Sequence, residues 1–251
     1  MRTIVAAFIG LGSGIASGAL GIGGALLSTP GIRWAFHVKP LIAVGTTLPV
    51  IIPTGLTGGY TYVREQLVDV RTASIAASAG CVFAIAGAYT TKFVNGEALL
   101  IATAVLILIL SIRMLPWKTG AHTPHVEASV TVLLLIGAVS GFVSGLLGVG
   151  GGVILVPVLT VLLRFPVKKA LGTSLAVVAA QAIPGTITHA LLGHIDWAIA
   201  AGLFIGVVPG ARIGSRLAVA TKDERLRVIV AVAMAALAIA FGGGEIRSLL
   251  R

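Results

Sequence analysis

Eight apolar, uncharged runs divide this 251-residue chain, over approximately residues 3–32, 40–62, 72–91, 98–112, 129–163, 170–188, 197–220 and 228–244. Crossing hydrocarbon about 30 Å thick takes roughly 20 apolar residues in a helix. Backbone inside the bilayer must satisfy its own hydrogen bonds, which helices do. The runs therefore predict an all-α polytopic membrane protein with about eight transmembrane segments. Charged residues make up 10% of the chain and hydrophobic residues 57%, at a mean hydropathy of +1.07. A soluble domain carries about 25% charged residues, so soluble enzyme folds are excluded. The start, Met1–Arg2 followed by an apolar run, has the outline of a signal peptide. The run continues to Ile32, however, and its glycines recur later, so it is expected to belong to the fold.

The recurrence is the second strong feature. A shift of 127 residues lays SGIASGALGIGGALLSTP (13–30) on SGFVSGLLGVGGGVILVP (140–157) without a gap, with nine of 18 positions identical. The same shift aligns AVGTTL (43–48) with ALGTSL (170–175), and then Gly58 with Gly185, Asp69 with Asp196, Gly87 with Gly214 and Glu97 with Glu224. The chain reads as two internal repeats of about four segments each: residues 1–112, a Pro- and Gly-containing linker loop at 113–127, and residues 128–251.

Net charge is +10, and such a balance in a soluble chain would suggest nucleic acid. No stretch alternates basic with aromatic residues, so no nucleic-acid partner is expected; the basic residues are read as cytoplasmic loop charges. Counting eight simple crossings puts Arg33, Lys39, Lys92, Arg164, Lys168, Lys169, Arg212, Arg216, Lys222, Arg225 and Arg227 on one side, with the termini outside and the halves parallel. The first run of each half is too long for one straight crossing, at about 45 and 52 Å. A re-entrant hairpin at its glycines would change the parity and invert the halves. The single cysteine, Cys81, excludes an internal disulfide and is expected to pack.

Consecutive glycines at Gly21, Gly23 and Gly24, and at Gly148, Gly150, Gly151 and Gly152, are denser than packing requires and are expected to break a helix. Paired interruptions in two halves point to a transporter's central site. Gly14, Gly18, Gly141 and Gly145 instead have the spacing of close helix packing. Thr46 and Thr47, matched by Thr173 and Ser174, supply hydroxyls on an early helical turn. Two readings stay open for them: a neutral anion cradle completed by backbone N–H groups, or bonding to their own helix carbonyls. All eight acids lie in loops or at segment ends, which disfavours a cation carrier and leaves Ser, Thr, Gln181 and backbone amides as interior polar groups. Asp69 and Asp196 are read as helix N-caps. Arg212 and Arg216, four residues apart, are read as interfacial anchors with the capacity to attract an anion. His189 and His194, near Asp196, have the capacity to relay protons, but the first half has no matching histidines and they are expected in a solvated loop. No protease or zinc-hydrolase motif is present, so neither catalysis nor a metal or cofactor is expected.

The doubled SGxxSG–LGxGG and GTT/GTS motifs resemble those of the TauE/SafE family of sulfite and organosulfonate exporters, over nearly the whole chain. The resemblance implies a bacterial cytoplasmic-membrane permease for small sulfur-containing anions. Its motif falls on Gly21, Gly23, Gly24, Thr46, Thr47, Gly148, Gly150, Gly151, Thr173 and Ser174, with Ala25 departing where the second half has Gly152. The expected activity is export by alternating access, with a channel-like conduit or a non-transporting assembly protein as alternatives. The expected partners are the anion and the bilayer, with a homodimer left open.

Overall fold

The computed structural model describes residues 2–94, 101, 104–105, 108–109, 112 and 128–249; the 113–127 linker and most of the fourth expected segment lie outside them. The first half forms α1 (Arg2–Leu20), α2 (Ala25–Phe36), α3 (Pro40–Arg64) and α4 (Val70–Thr90), the last closed by a 3-10 turn at Thr91–Phe93. The second forms α5 (Val130–Leu147), α6 (Gly152–Pro157, continued by π turns over Val158–Leu162), α7 (Val167–Leu191), α8 (Trp197–Ala220) and α9 (Asp223–Leu249). Among the described residues no strand occurs, and six helices, α1, α3, α4, α5, α7 and α8, are long and apolar enough to cross a membrane.

Local chemistry sets these boundaries. Asp69 caps α4 by accepting from the Thr72 N–H, and Asp196 caps α8 by accepting from Ala198 and Ile199. Ser129 caps α5, and Pro40 opens α3 at a position where its missing N–H costs nothing. Left-handed Gly148 (φ 64°) ends α5.

Both long opening runs break where the glycines cluster, and each then folds back. Ser28 of α2 donates to Ser13 of α1 at 2.7 Å, and Gly31 lies against Ile9, so α2 retraces α1 toward its start. Likewise Gly151 lies against Ser140, and Leu159 clusters with Leu133, so α6 retraces α5. At 12 and 11 residues, α2 and the Gly152–Leu162 segment are about 18 and 16 Å long, half the depth of a bilayer. These are re-entrant hairpins, and the expectation of simple crossings for residues 3–32 and 129–163 is corrected.

The parallel arrangement of the halves falls with it. The central helices α3 and α7 run antiparallel: Leu48 meets Gly185, Gly55 meets Ala179, and Tyr62 meets Gly172. In contrast α1 runs parallel to α8, with Gly10, Gly14 and Gly18 against Leu203, Val207 and Ala211. The same geometry joins α5 to α4, where Gly137, Gly141 and Gly145 lie against Ala76, Gly80 and Ala84. Each opening helix thus packs on the fourth helix of the other half, backbone to backbone, as the small-residue spacing of Gly14, Gly18, Gly141 and Gly145 led one to expect.

Inversion redistributes the charges. One face of the bundle carries Arg2, Arg33, Lys39 and Lys92. The other carries Arg64, Arg71, Arg164, Lys168, Lys169, Arg212, Arg216, Lys222, Arg225 and Arg227. The expected grouping of Arg33, Lys39 and Lys92 with the second set is overturned. On the richer face Lys169 pairs with Asp69 at 3.0 Å and Lys168 with Asp223 at 3.5 Å.

Candidate functional site

Gly21, Gly23 and Gly24 adopt φ of 71°, 87° and 71°, and Gly148 and Gly150 adopt 64° and 84°, conformations that L side chains rarely take. The remaining two glycines are required by proximity. A Cβ on Gly151 would meet the Ser140 carbonyl and Gln181 Oε1, and one on Gly152 would meet the Gly21 carbonyl and the Ile22 Cα. The two loops therefore touch. They meet at the level of Ile51 and Val178, midway along the α3–α7 pair. Every residue from Gly21 to Ala25 and from Gly148 to Gly152 is buried.

The loops leave backbone donors unused. Among the described residues, the N–H groups of Ile22, Gly23, Gly24, Val149, Gly150 and Gly151 have no acceptor. Buried N–H groups are nearly always paired, so six of them at the mouths of two half-helices are donors with the capacity to bind acceptors. The N-terminal dipoles of α2 and of the Gly152–Leu162 segment add partial positive charge there. The buried polar side chains are Ser, Thr, Gln181 and His189; among the described residues none is an acid, a lysine or an arginine.

The hydroxyl pairs, for which two readings were open, all engage protein groups. Thr46 lies toward one face and Thr173 toward the other, each accepting from a backbone N–H of the opposite half: Asp196 to Thr46 and Asp69 to Thr173, both at 2.9 Å. The next residue in each pair reaches a loop. Ser174 donates to the Gly21 carbonyl at 2.8 Å, and Thr47 contacts the Gly148 carbonyl at 3.3 Å, sharing its proton with the Ala43 and Val44 carbonyls and lying 3.0 Å from the Thr29 hydroxyl. Thr47 and Ser174 thus border the site by fixing loop carbonyls, while Thr46 and Thr173 fasten the connections before α8 and α4.

Gln181 is fully buried and borders Gly151. Thr54, which sequence reasoning missed, holds the corresponding place beside Gly24. Also missed was Tyr62, while His189 was read as a loop residue. Tyr62 donates to the Gly18 carbonyl at 3.0 Å, and His189 Nε2 stands 2.9 Å from the Gly145 carbonyl, each pinning a turn just before a glycine loop. His189 is 0% exposed within α7, so its expected place in a solvated loop is corrected. Its Nδ1 lies 3.2 Å from Nδ1 of His194 in the following turn. Burial and the Lys92 charge lower the His194 pKa below the usual histidine range.

Arg212 and Arg216 stand apart from the loops. With Arg64, Tyr60 and Thr61 they line a pocket of about 300 Å³ between α3 and α8 on the charge-rich face. A hydrogen bond from Ser215 to Thr61 (2.9 Å) lies beneath it.

A family model described as "Sulfite exporter TauE/SafE" matches residues 6–241. The chain belongs to the TauE/SafE family. TauE/SafE proteins are membrane transporters, and this one is a multi-pass membrane transporter, not an enzyme. Similar proteins include "Probable membrane transporter protein YunE" of Bacillus subtilis, 26% identical with 96% of each chain covered. A "Probable membrane transporter protein" of Xylella fastidiosa is 30% identical with 86% of each chain covered. A relative in Methanocaldococcus jannaschii is 22% identical over 88% of each chain. No solved structure matches.

Proposed function

We propose that this TauE/SafE transporter exports a small sulfur oxyanion, sulfite or an organosulfonate, across a bacterial cytoplasmic membrane by alternating access. The observation that carries this reading is the set of six acceptor-free N–H groups where the two glycine loops meet. Such donors replace water around an oxyanion without the reorganisation that long charged side chains require. Fixed dipoles also hold the anion more weakly than a buried cation would, which favours release.

Equivalent contacts 127 residues apart support a duplicated, inverted unit: Thr46–Asp196 with Thr173–Asp69, Thr47–Gly148 with Ser174–Gly21, and Tyr62–Gly18 with His189–Gly145. Inverted units exchange conformations to open a midplane site to alternate sides. Because both loops are buried, such movement is required for access. The charge-rich face is placed in the cytoplasm by the positive-inside rule. There the pocket lined by Arg64, Arg212 and Arg216, three cations against the single acid Glu65, concentrates anions near the entrance. An inside-negative potential drives an anion outward by about 2.3 kcal/mol per charge per 100 mV, enough for export without a coupled ion.

Flux into proteoliposomes tests the proposal. Saturable sulfite or sulfonate transport is expected, and Gly23→Leu or Gly150→Leu is expected to abolish it while the folded protein still reaches the membrane. Non-saturating conductance would indicate a channel. Absence of flux, or unchanged flux in both variants, would remove the glycine loops from the function.

A further inference from the structure

Resting on that reading, we propose that the site takes sulfite in its protonated, singly charged form, hydrogen sulfite, with Gln181 Oε1 accepting the hydrogen carried by one substrate oxygen.

Hydrogen-bond counting fixes which way the Gln181 amide points. Ser140 Oγ donates its proton to the Gly137 carbonyl at 3.1 Å, so it offers Gln181 lone pairs alone. Gln181 must therefore present its NH₂ group there, and Nε2 donates to Ser140 Oγ at 2.9 Å. Oε1 is turned the opposite way, toward the glycine loop, 2.8 Å from where a Cβ of Gly151 would stand. It is buried and has no donor. Thr54 presents the same chemistry to the other loop. Its hydroxyl donates to the Val50 carbonyl at 2.7 Å, which leaves lone pairs 3.0 Å from where a Cβ of Gly24 would stand.

The loops thus join free N–H donors to oxygen acceptors. The sulfite dianion meets the donors but brings only lone pairs to Gln181 Oε1, which repels it, whereas a sulfonate carries an organic substituent as well as its bare oxygens. An anion carrying one hydrogen satisfies both, with its bare oxygens on the N–H groups and its O–H on Gln181. Charge leads to the same conclusion: among the described residues no buried cation is present to balance a second negative charge, and desolvation disfavours a dianion far more than a monoanion. The groups facing Gln181 are Gly80 of α4, Gly137 and Ser140 of α5, and Gly151, none of which titrates. Cys81, beside Gly80, and His189, two turns along α7, are the titratable side chains nearest in sequence to these positions.

The test uses the full-length protein in liposomes. Initial rates are measured for sulfite and for methanesulfonate, a monoanion without an O–H, across the pH range where hydrogen sulfite gives way to sulfite. At fixed total sulfite the rate is expected to follow the hydrogen sulfite fraction and to fall as pH rises, while the methanesulfonate profile stays flat. Gln181→Met is expected to raise the ratio of the sulfite KM to the methanesulfonate KM about tenfold, the scale of one hydrogen bond to a charged partner. Thr54→Val is expected to act in the same direction and serves where Gln181→Met does not fold. A sulfite rate that rises with pH, or variants that slow both anions equally, would overturn this inference and leave the transporter reading intact. Absence of saturable flux of either anion in the unmodified protein would remove both.

Discussion

Thr47 and Ser174 each bridge to the opposite half to hold the carbonyl that begins a glycine loop, but the two bonds are unequal. Ser174 commits its proton to Gly21 at 2.8 Å, whereas Thr47 divides its proton among three carbonyls and lies 3.0 Å from the Thr29 hydroxyl. Leaving a buried carbonyl without its donor costs about 1–3 kcal/mol. Ser174→Ala is therefore expected to destabilise the protein by about 1–3 kcal/mol and Thr47→Val by less, measured by thermal unfolding in detergent. At the charge-rich face, burial opposes ionisation of Asp69. The Thr72 N–H and the Lys169 ammonium outweigh it and hold the carboxyl below its usual pKa. A carboxyl with a lowered folded-state pKa stabilises the fold above its unfolded pKa, and that contribution disappears as pH falls through the folded value. Acid is therefore expected to lower the melting temperature less steeply in Asp69→Asn than in the unmodified protein.

At the scale of elements, the glycines perform two separate tasks. Those in the loops turn the chain where a side chain would be strained or would collide, so that α1 and α5 each end in a half-length return helix. Those within α1 and α5 let backbones touch, because a Cβ on Gly18 or Gly145 would run into the Ala211 or Ala84 carbonyl. Substitution in the second group acts through packing, whose disruption costs about 1–3 kcal/mol or more when backbone must move. Gly18→Val and Gly145→Val are expected to lower thermal stability and the yield of folded protein. Gly23→Leu, strained at φ 87° but with a Cβ that would meet only the flexible ends of Ile51 and Val178, is expected to abolish transport at a stability cost no larger than that of Gly18→Val. Comparing melting temperature with flux for the two groups separates these tasks.

For the molecule as a whole, two hairpins and an antiparallel central pair bring the opening of each half to opposite faces. The consequence is a sorting of charge that eight simple crossings do not produce. In a Cys81→Ala background, cysteines introduced at Lys39 and Lys222 are expected to be labelled from opposite sides of the membrane by an impermeant maleimide, with position 222 in the cytoplasm. Labelling of both from one side would contradict the inverted arrangement. Both positions are exposed, which makes the experiment direct.

Composition alone determined that this chain is a helical membrane protein, because so few charges leave no water-facing alternative. Spacing determined where two helices break, since clustered glycines carry their conformational freedom wherever they are placed. The 127-residue offset identified Thr46, Thr47, Thr173 and Ser174 as paired. It passed over Tyr62 with His189 and Thr54 with Gln181, because those pairs share a position and a bonding role but not a residue type. Tertiary structure alone decided whether each break continues across the bilayer or turns back, and hence the parity of every later segment. Glycine permits either path; the contacts of Ser28 with Ser13 and of Gly151 with Ser140 select the return. Only those long-range contacts bring the unpaired loop amides of the two halves together.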